Sequence, residues 1–371
     1  MYILIEGVEG VGKTSQTKLL EAYIKKIGAS VVLTKEPGTH DLPLTMAMRG
    51  LMLDSRWQDQ MPVTARELLS QAIRAIHMEK KIAPAIDEKK IVIQDRGMLS
   101  GIAYGTACGN SEDFIKLLMS KAVNSYDPFE KKMRDYRVTS LVKKAIESLS
   151  LPKEISDELN IVDTPLALEM NSLINDSRWE EEMTDTAREL LSLAILSIHL
   201  EKRVSPFLEE MGFHNSTESE KQDQRWQLEG DSYVSSLMTM PHNARNPFLT
   251  YDKVVFLSGD VAEGLRKAKS AKQEFEAGDA IEAMGEDFMT TVNGNILKYG
   301  PMFKTPEGTR AFSVVEAYEP TAEGEPLKPK HWTRVLKEIL ECVGLPTETP
   351  EFEVFSRNLE DPEYFKKVTS D

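Results

Sequence analysis

Cysteine is scarce: Cys108 and Cys342 are the only two in 371 residues. They stand far apart and lack metal-ligand spacing, so no disulfide framework is expected and a reducing compartment fits. Positive charge is in deficit as well. With 45 Lys and Arg against 60 Asp and Glu, the formal net charge is −15. That argues against duplex nucleic acid as a partner, which needs a basic face, while leaving room for a local basic pocket. No apolar run reaches the length of a membrane span. No signal peptide is expected, because Lys13 interrupts the N-terminal apolar stretch and no cleavage-like segment follows. The expected location is the cytoplasm. What remains, 41% hydrophobic and 28% charged residues, is the composition of a globular protein with one large domain or two ordinary ones.

The most informative segment is Gly7-Val8-Glu9-Gly10-Val11-Gly12-Lys13-Thr14, which follows the apolar run Met1-Tyr2-Ile3-Leu4-Ile5. It spells G-x-x-x-x-G-K-T between an expected strand and an expected helix beginning near Ser15. Glycines there let backbone N–H groups close around an anionic phosphate chain, at a helix N-terminus whose dipole also favours negative charge. Glu9, Gly10, Val11, Gly12, Lys13, Thr14 and Ser15 are therefore expected to bind ATP. Lys13 would reach the β- and γ-phosphates, and the Thr14 hydroxyl would ligate Mg²⁺.

The chain also repeats itself. Residues 41–84 return at 163–206 with an offset of 122 and no gap, and 24 of the 44 positions are identical. Two units are too few for a solenoid, so a duplicated segment inside a domain is expected. A weaker continuation pairs 95–104 with 224–233. Each copy predicts an amphipathic helix, through Leu68, Leu69, Ala72, Ile73 and Ile76, and through Leu190, Leu191, Ala194, Ile195 and Ile198. Thr64 and Thr186 are the expected N-caps, with Glu67 and Glu189 completing capping boxes. Pro84 and Pro206 are expected past the helix ends. Arg49 becomes Asn171 and Arg74 becomes Leu196, so the second copy keeps its packing pattern and loses two cations. A structural role is expected of it. His77 and His199 occupy equivalent points, but no Cys, Asp or Glu cluster completes a metal site around them.

An ordered set of motifs resembles thymidylate kinase. It comprises Ile5 to Gln16 for the phosphate loop, Thr34-Lys35-Glu36-Pro37-Gly38-Thr39, Met48-Arg49-Gly50-Leu51-Met52-Leu53, and Glu67-Leu68-Leu69 with Ala72, Arg74 and His77. Next come Ile91-Val92-Ile93-Gln94-Asp95-Arg96 and then Ser100 to Tyr104. After a long interruption, Lys253 to Leu257 looks like the next core strand. Arg266 to Glu282 is similar to the lid, and Phe312 to Val315 looks like the last strand. The resemblance implies an α/β phosphate-loop kinase fold in three layers: a mainly parallel sheet, helices on both faces, and a mostly helical insertion. Residues 1–115 and 251–345 would form the core, 116–250 the insertion and 346–371 a C-terminal tail. The tail, with Pro346, Pro350 and Pro362, reads as an extended cover or a partly disordered end. Residues 124–160 read as a charged helical linker or small bundle, and 212–230 as a polar loop.

The implied reaction is transfer of a phosphoryl group from ATP, with Mg²⁺, to a deoxynucleoside monophosphate. Catalysis of that kind is positioning plus charge neutralisation. The resemblance implies Lys13, Arg96 and a lid cation as the catalytic groups, with Asp95 orienting Mg²⁺ beside Thr14. The phosphate loop carries no Arg or Lys before Lys13. Positive charge is therefore assigned to the lid, which holds Arg266, Lys267, Lys269 and Lys272; Arg266 is favoured because its fork suits phosphate. Glu36, Pro37, Arg49, Ser70, Arg74, Arg96, Ser100 and Tyr104 would bind the acceptor, with Glu36-Pro37 a candidate cis peptide. Where the family places a Phe that stacks on thymine this chain has Ser70, and Gly97 replaces an aromatic after Asp-Arg. Both changes are expected to open space, for a thymine analogue with a larger 5-substituent or a wider range of pyrimidine deoxynucleotides. Two other readings compete: a kinase acting on a modified base in DNA, and a nucleotide-binding regulator without turnover. The duplicated segment suggests a monomer with an internal pseudo-twofold helical interface, the alternative being a homodimer.

Overall fold

The structure is a computed structural model and describes residues 1–123, 138–149, 151–210, 251–270, 279–319 and 328–370. The weaker repeat at 224–233, the polar segment 212–230, residues 124–137 and Lys272 lie outside these.

Five strands form one parallel sheet in the order β2-β3-β1-β4-β5. They are β1 (Tyr2–Gly7), β2 (Val31–Lys35), β3 (Ile91–Asp95), β4 (Lys253–Ser258) and β5 (Phe312–Glu316). In chain order the α-helices of the described residues are α1 (Lys13–Lys26), α2 (Pro43–Leu53), α3 (Val63–His77), α4 (Ala83–Asp87), α5 (Met98–Ala107), α6 (Glu112–Val123), α7 (Val138–Ser148) and α8 (Lys153–Leu159). They continue with α9 (Pro165–Asn175), α10 (Asp185–His199), α11 (Ser205–Glu210), α12 (Val261–Ser270), α13 (Gly285–Tyr299), α14 (Trp332–Val343), α15 (Pro350–Asn358) and α16 (Pro362–Thr369).

β1 reads as an unbroken apolar run because both of its faces are covered. Ile3 and Ile5 point to one side and pack with Leu19 and Leu20 of α1 and Leu336 and Ile339 of α14. Tyr2 and Leu4 point the other way, onto Ile102 of α5 and Val292 of α13. That alternation is the period-two geometry of a strand. The expected fold class is therefore what the chain adopts. β4 and β5, from the far side of the insertion, extend the same sheet beyond β1. The strand order turns at β1, so the C-terminal ends of β1, β2 and β3 open onto one crevice, where such sheets bind ligands.

The duplication is structural. α2 and α9, then α3 and α10, begin and end at residues 122 apart, and so do the π-helical turns Met78–Ile82 and Leu200–Val204. The two copies share one hydrophobic core, with Leu68, Ile73 and Ile76 of α3 beside Leu190, Ile195 and Ile198 of α10. The helix starts differ from expectation. α3 follows Pro62 with no side-chain cap, and α10 is capped by Thr184, whose Oγ1 accepts from the Ala187 N–H at 3.1 Å. Thr64 and Thr186 therefore sit inside the first turn, and no capping box forms. Pro84 and Pro206 lie past the ends of α3 and α10, as expected. The π turns carry each helix onward, and the prolines fall near the starts of α4 and α11, where a missing N–H costs little.

The tail is neither extended nor loose. α15 and α16 pack on the open face of α1: the Tyr23 ring lies 5.5 Å from Phe352 and 5.6 Å from Phe355, and Lys18 donates to the Thr369 carbonyl at 3.0 Å. The prolines at 350 and 362 begin helices here, behind Thr349 and Asp361 as N-caps.

Candidate functional site

The phosphate loop leaves β1 and turns directly into α1, which starts at Lys13, two residues earlier than expected. Gly10 and Gly12 have φ of 67° and 92°, backbone angles that favour glycine. Gly10 is also in close contact with α12. A Cβ on Gly10 would stand 2.3 Å from the Gly264 carbonyl oxygen, and one on Gly264 only 2.1 Å from the Glu9 carbonyl oxygen. The loop and α12 therefore meet backbone to backbone.

Lys13 is buried and donates to the Val8 carbonyl oxygen at 2.6 Å. Burial, with Arg96 nearby, pushes its ammonium down to about 8. The Thr14 hydroxyl donates to Asp95 Oδ2 at 3.2 Å, joining the loop to the end of β3. The second oxygen, Asp95 Oδ1, is buried and has no hydrogen-bond partner among the described residues.

Arg96 leaves β3 in the left-handed region, with φ of 63°. Such a conformation costs a non-glycine residue about 1 kcal/mol or more. It lets the Arg96 N–H bond the Ile5 carbonyl at 3.0 Å while α5 begins almost at once. The guanidinium forms an ion pair with Glu9, donates to Ser100 Oγ at 3.3 Å and lies 5.4 Å from the Tyr104 ring centroid. Arg96 in turn holds the Glu9 carboxyl down at about 2.

On the other side of the crevice the Glu36-Pro37 peptide is cis. Glu36 receives Arg74, whose Nη2 and Nε reach its Oε2 at 2.7 and 3.0 Å. Gln94 donates to the Glu36 Oε1 at 2.8 Å, and Arg74 Nη1 donates to Gln71 Oε1 at 2.6 Å. Gln71 passes its own Nε2 hydrogen to Glu67 Oε1 at 2.6 Å. A buried polar chain thus runs from β3 through Glu36 and Arg74 along α3. Arg49 closes the side by donating to the Pro37 carbonyl at 3.0 Å.

The crevice holds a cavity of about 550 Å³. Of the expected residues, it gathers Glu9, Gly10, Glu36, Pro37, Arg49, Ser70, Arg74, Arg96, Ser100 and Tyr104. Lys13, Thr14 and Asp95 do not line it, though Lys13 is close enough to Arg96 for the two charges to repel and Thr14 is bonded to Asp95. Arg266 is not brought in: it is exposed and bonded to Glu263 at 2.7 and 2.8 Å, while its neighbour Lys267 lines the cavity.

Gly97 does not open space. A Cβ there would meet Leu4, the Tyr251 hydroxyl and Gln94 at 3.0 to 3.2 Å, so Tyr251 from the edge of β4 already fills that side. Ser70 does face the cavity.

Several contributors were not legible from motifs. Glu6 is fully buried and accepts from the Gly97 and Ser100 N–H groups at 3.0 and 2.9 Å, fixing the start of α5 as a capping carboxylate would. Burial pushes that carboxyl up. Gln71 and Gln94 carry the polar chain, and Glu67 turns to the cavity instead of capping α3. A polar residue in an otherwise apolar strand or helix face was the available signal for all four.

The family model described as thymidylate kinase matches residues 5–128. Among similar proteins, the thymidylate kinase of Acinetobacter baumannii (strain AYE) is 36% identical over 34% of this chain and 62% of that kinase. The thymidylate kinase of Sulfurihydrogenibium sp. (strain YO3AOP1) is 33% identical over 40% of this chain and 71% of that protein. That of Geotalea daltonii is 35% identical over 40% and 69%. A crystal structure of thymidylate kinase from Ehrlichia chaffeensis shares 38% identity over 32% of this chain and 65% of that one, with a TM-score of 0.29. The chain thus spans 62% of the length of the Acinetobacter relative and more of the other two curated kinases. With a fold, a phosphate loop and an Asp-Arg strand end of the kind described, and with identity of this level to curated kinases, the chain belongs to the thymidylate kinase family.

Proposed function

We propose that this protein transfers the γ-phosphoryl group of ATP to the 5′-phosphate of a pyrimidine deoxynucleoside monophosphate, either dTMP or a thymidylate with a modified base. The observation that carries the reading is the placement of Arg96. It lines the cavity together with Glu9 and Gly10 of the phosphate loop, next to the Asp95 strand end that Thr14 contacts.

The acceptor phosphate is already an anion and needs no strong base. Arg96 binds it by exchanging its Glu9 partner for phosphate oxygens. Lys13 and the loop N–H groups hold the donor phosphates, with the positive end of α1 behind them. Thr14 Oγ1 and the Asp95 carboxylate suit a hydrated Mg²⁺, a hard cation that takes oxygen ligands and keeps several waters. The unpartnered Asp95 Oδ1 fits that assignment. Bound there, Mg²⁺ supplies charge neutralisation at the donor phosphates. In the lid we assign the cation facing the acceptor to Lys267, with Arg266 as a second basic residue on the outer side of the same helix.

Ser70 in place of a stacking aromatic leaves room on one side of the base, which favours acceptors larger than thymine. Monomeric behaviour is proposed as well, since α3 and α10 cover each other's apolar faces within one chain. The test is turnover of ATP and Mg²⁺ with dTMP, dUMP, dCMP and 5-hydroxymethyl-dUMP, wild type against Lys13→Ala. Diphosphate formation that vanishes in the variant supports the proposal. A wild type that phosphorylates none of them removes it.

A further inference from the structure

The cavity wall contains a carboxylate that the transfer reaction does not use. Glu67 lies on α3 with 5% of its surface exposed and lines the cavity. Its Oε1 is taken by Gln71 at 2.6 Å. Its Oε2 lies over Gly105 of α5, where a Cβ would stand only 2.7 Å away. One turn earlier, a Cβ on Gly101 would meet Arg74 Nη2 at 2.8 Å. Two glycines on one face of α5 therefore admit two charged heads to the same wall: an acceptor, Glu67 Oε2, and a donor, Arg74.

The same helix carries the phosphate end: the Arg96 guanidinium reaches Ser100 Oγ at 3.3 Å and lies 5.4 Å from the Tyr104 ring, and Gly101 and Gly105 line the same cavity. A mononucleotide whose phosphate sits on Arg96 has Gly101, Gly105 and Glu67 among the surfaces facing its base. Ser70 adds space there in place of an aromatic face.

We propose that Glu67 determines acceptor specificity by accepting a hydrogen bond from a donor on the base edge, an O–H or N–H that thymine's methyl group does not offer. The proposal rests on the kinase reading of this cavity. A methyl group facing Oε2 would desolvate a carboxyl oxygen without replacing its hydrogen bond, which is the larger part of such discrimination. A 5-hydroxymethyl group and the exocyclic amine of cytosine both supply the donor. Burial pushes the Glu67 carboxyl up, with Gln71 pulling against it, which is consistent with a site built to receive a polar ligand group.

Equilibrium binding of dTMP, dCMP and 5-hydroxymethyl-dUMP to the full chain, without ATP, tests this. The variants are Glu67→Gln and Gly105→Ala; the second displaces the carboxyl from the opposite helix. The wild type is expected to bind one of the donor-bearing nucleotides about tenfold or more tighter than dTMP, and each variant to erase that ratio. Whichever of the two nucleotides shows the ratio identifies the donor. Tighter binding of dTMP by the wild type, or equal weakening of all three nucleotides in both variants, overturns the proposal. If no monophosphate binds the wild type, the kinase reading itself fails, a result distinct from binding without preference.

Discussion

Glu9 of the phosphate loop and Arg96 at the end of β3 are ion-paired across the mouth of the crevice. The pair joins two segments 87 residues apart in sequence. It aims a buried guanidinium at the cavity and leaves Ser100 Oγ and the Tyr104 ring to steady its other edges. In the proposed reaction an acceptor phosphate must win the guanidinium from Glu9, so the strength of the fork matters. Arg96→Lys keeps the charge and loses the bidentate geometry. Its kcat/KM is expected to fall by about two orders of magnitude with little change in Tm, since one preorganised donor is worth that much in charge stabilisation. Steady-state kinetics beside thermal melting checks it; a loss under threefold would show that Arg96 does not hold the acceptor phosphate.

How much of this was written in the sequence depends on the kind of residue. β1, the phosphate loop and the Asp95-Arg96 strand end were legible because glycine spacing and apolar runs are local signals. The repeat was legible as well, down to its offset, because identical residues fold alike. Glu6, Gln71 and Gln94 were not. Each looks like an isolated polar residue until the sheet and α3 bring Glu36, Arg74 and Ser100 to it. Tyr251 taking the space beside Gly97 was equally hidden, since the two lie on different strands' ends. The C-terminal prolines misled for a local reason: one residue after Thr349 or Asp361, a proline starts a helix as readily as it ends one.

Two adjacent cations of α12 differ in placement. Arg266 has 70% of its side chain exposed and pairs with Glu263, whereas Lys267, ion-paired with the same Glu263 at 3.6 Å, lines the cavity and stands 3.3 Å from the Tyr318 hydroxyl. Lys267→Ala is expected to lower kcat by about tenfold or more, and Arg266→Ala by less than about threefold, because only charge near the moving phosphoryl group is worth much. Turnover at saturating ATP reads both. The opposite ranking would mean that lid closure rotates α12 and exchanges the two.

The shared core of the two repeats predicts the oligomeric state. Leu69 and Ile76 of α3, and Leu191 and Ile198 of α10, are fully buried within a single chain. A face already covered offers no apolar area to a second copy. Light scattering at micromolar concentration is expected to return the single-chain mass of 41.8 kDa. A stable mass of twice that value would require an interface elsewhere and would end the pseudo-dimer interpretation.

Stability in mild acid should depend on His77. The ring is fully buried in α3, neither nitrogen has a hydrogen-bond partner among the described residues, and burial pushes its pKa down to about 4 from an ordinary 6.5. The unfolded chain then binds a proton that the folded chain refuses. Stability attributable to this residue is whole above about pH 6.5 and drains away as the pH falls towards 4, by up to about 3 kcal/mol. Glu9, held at about 2, shifts the balance only at lower pH, where protonating it releases Arg96. Urea unfolding at a series of pH values, wild type against His77→Gln, isolates the contribution. The wild type is expected to lose stability more steeply between pH 6.5 and 4, and the two curves to run parallel above that window. Parallel curves throughout would mean that the imidazole finds a partner or water in solution and is not held neutral by the core.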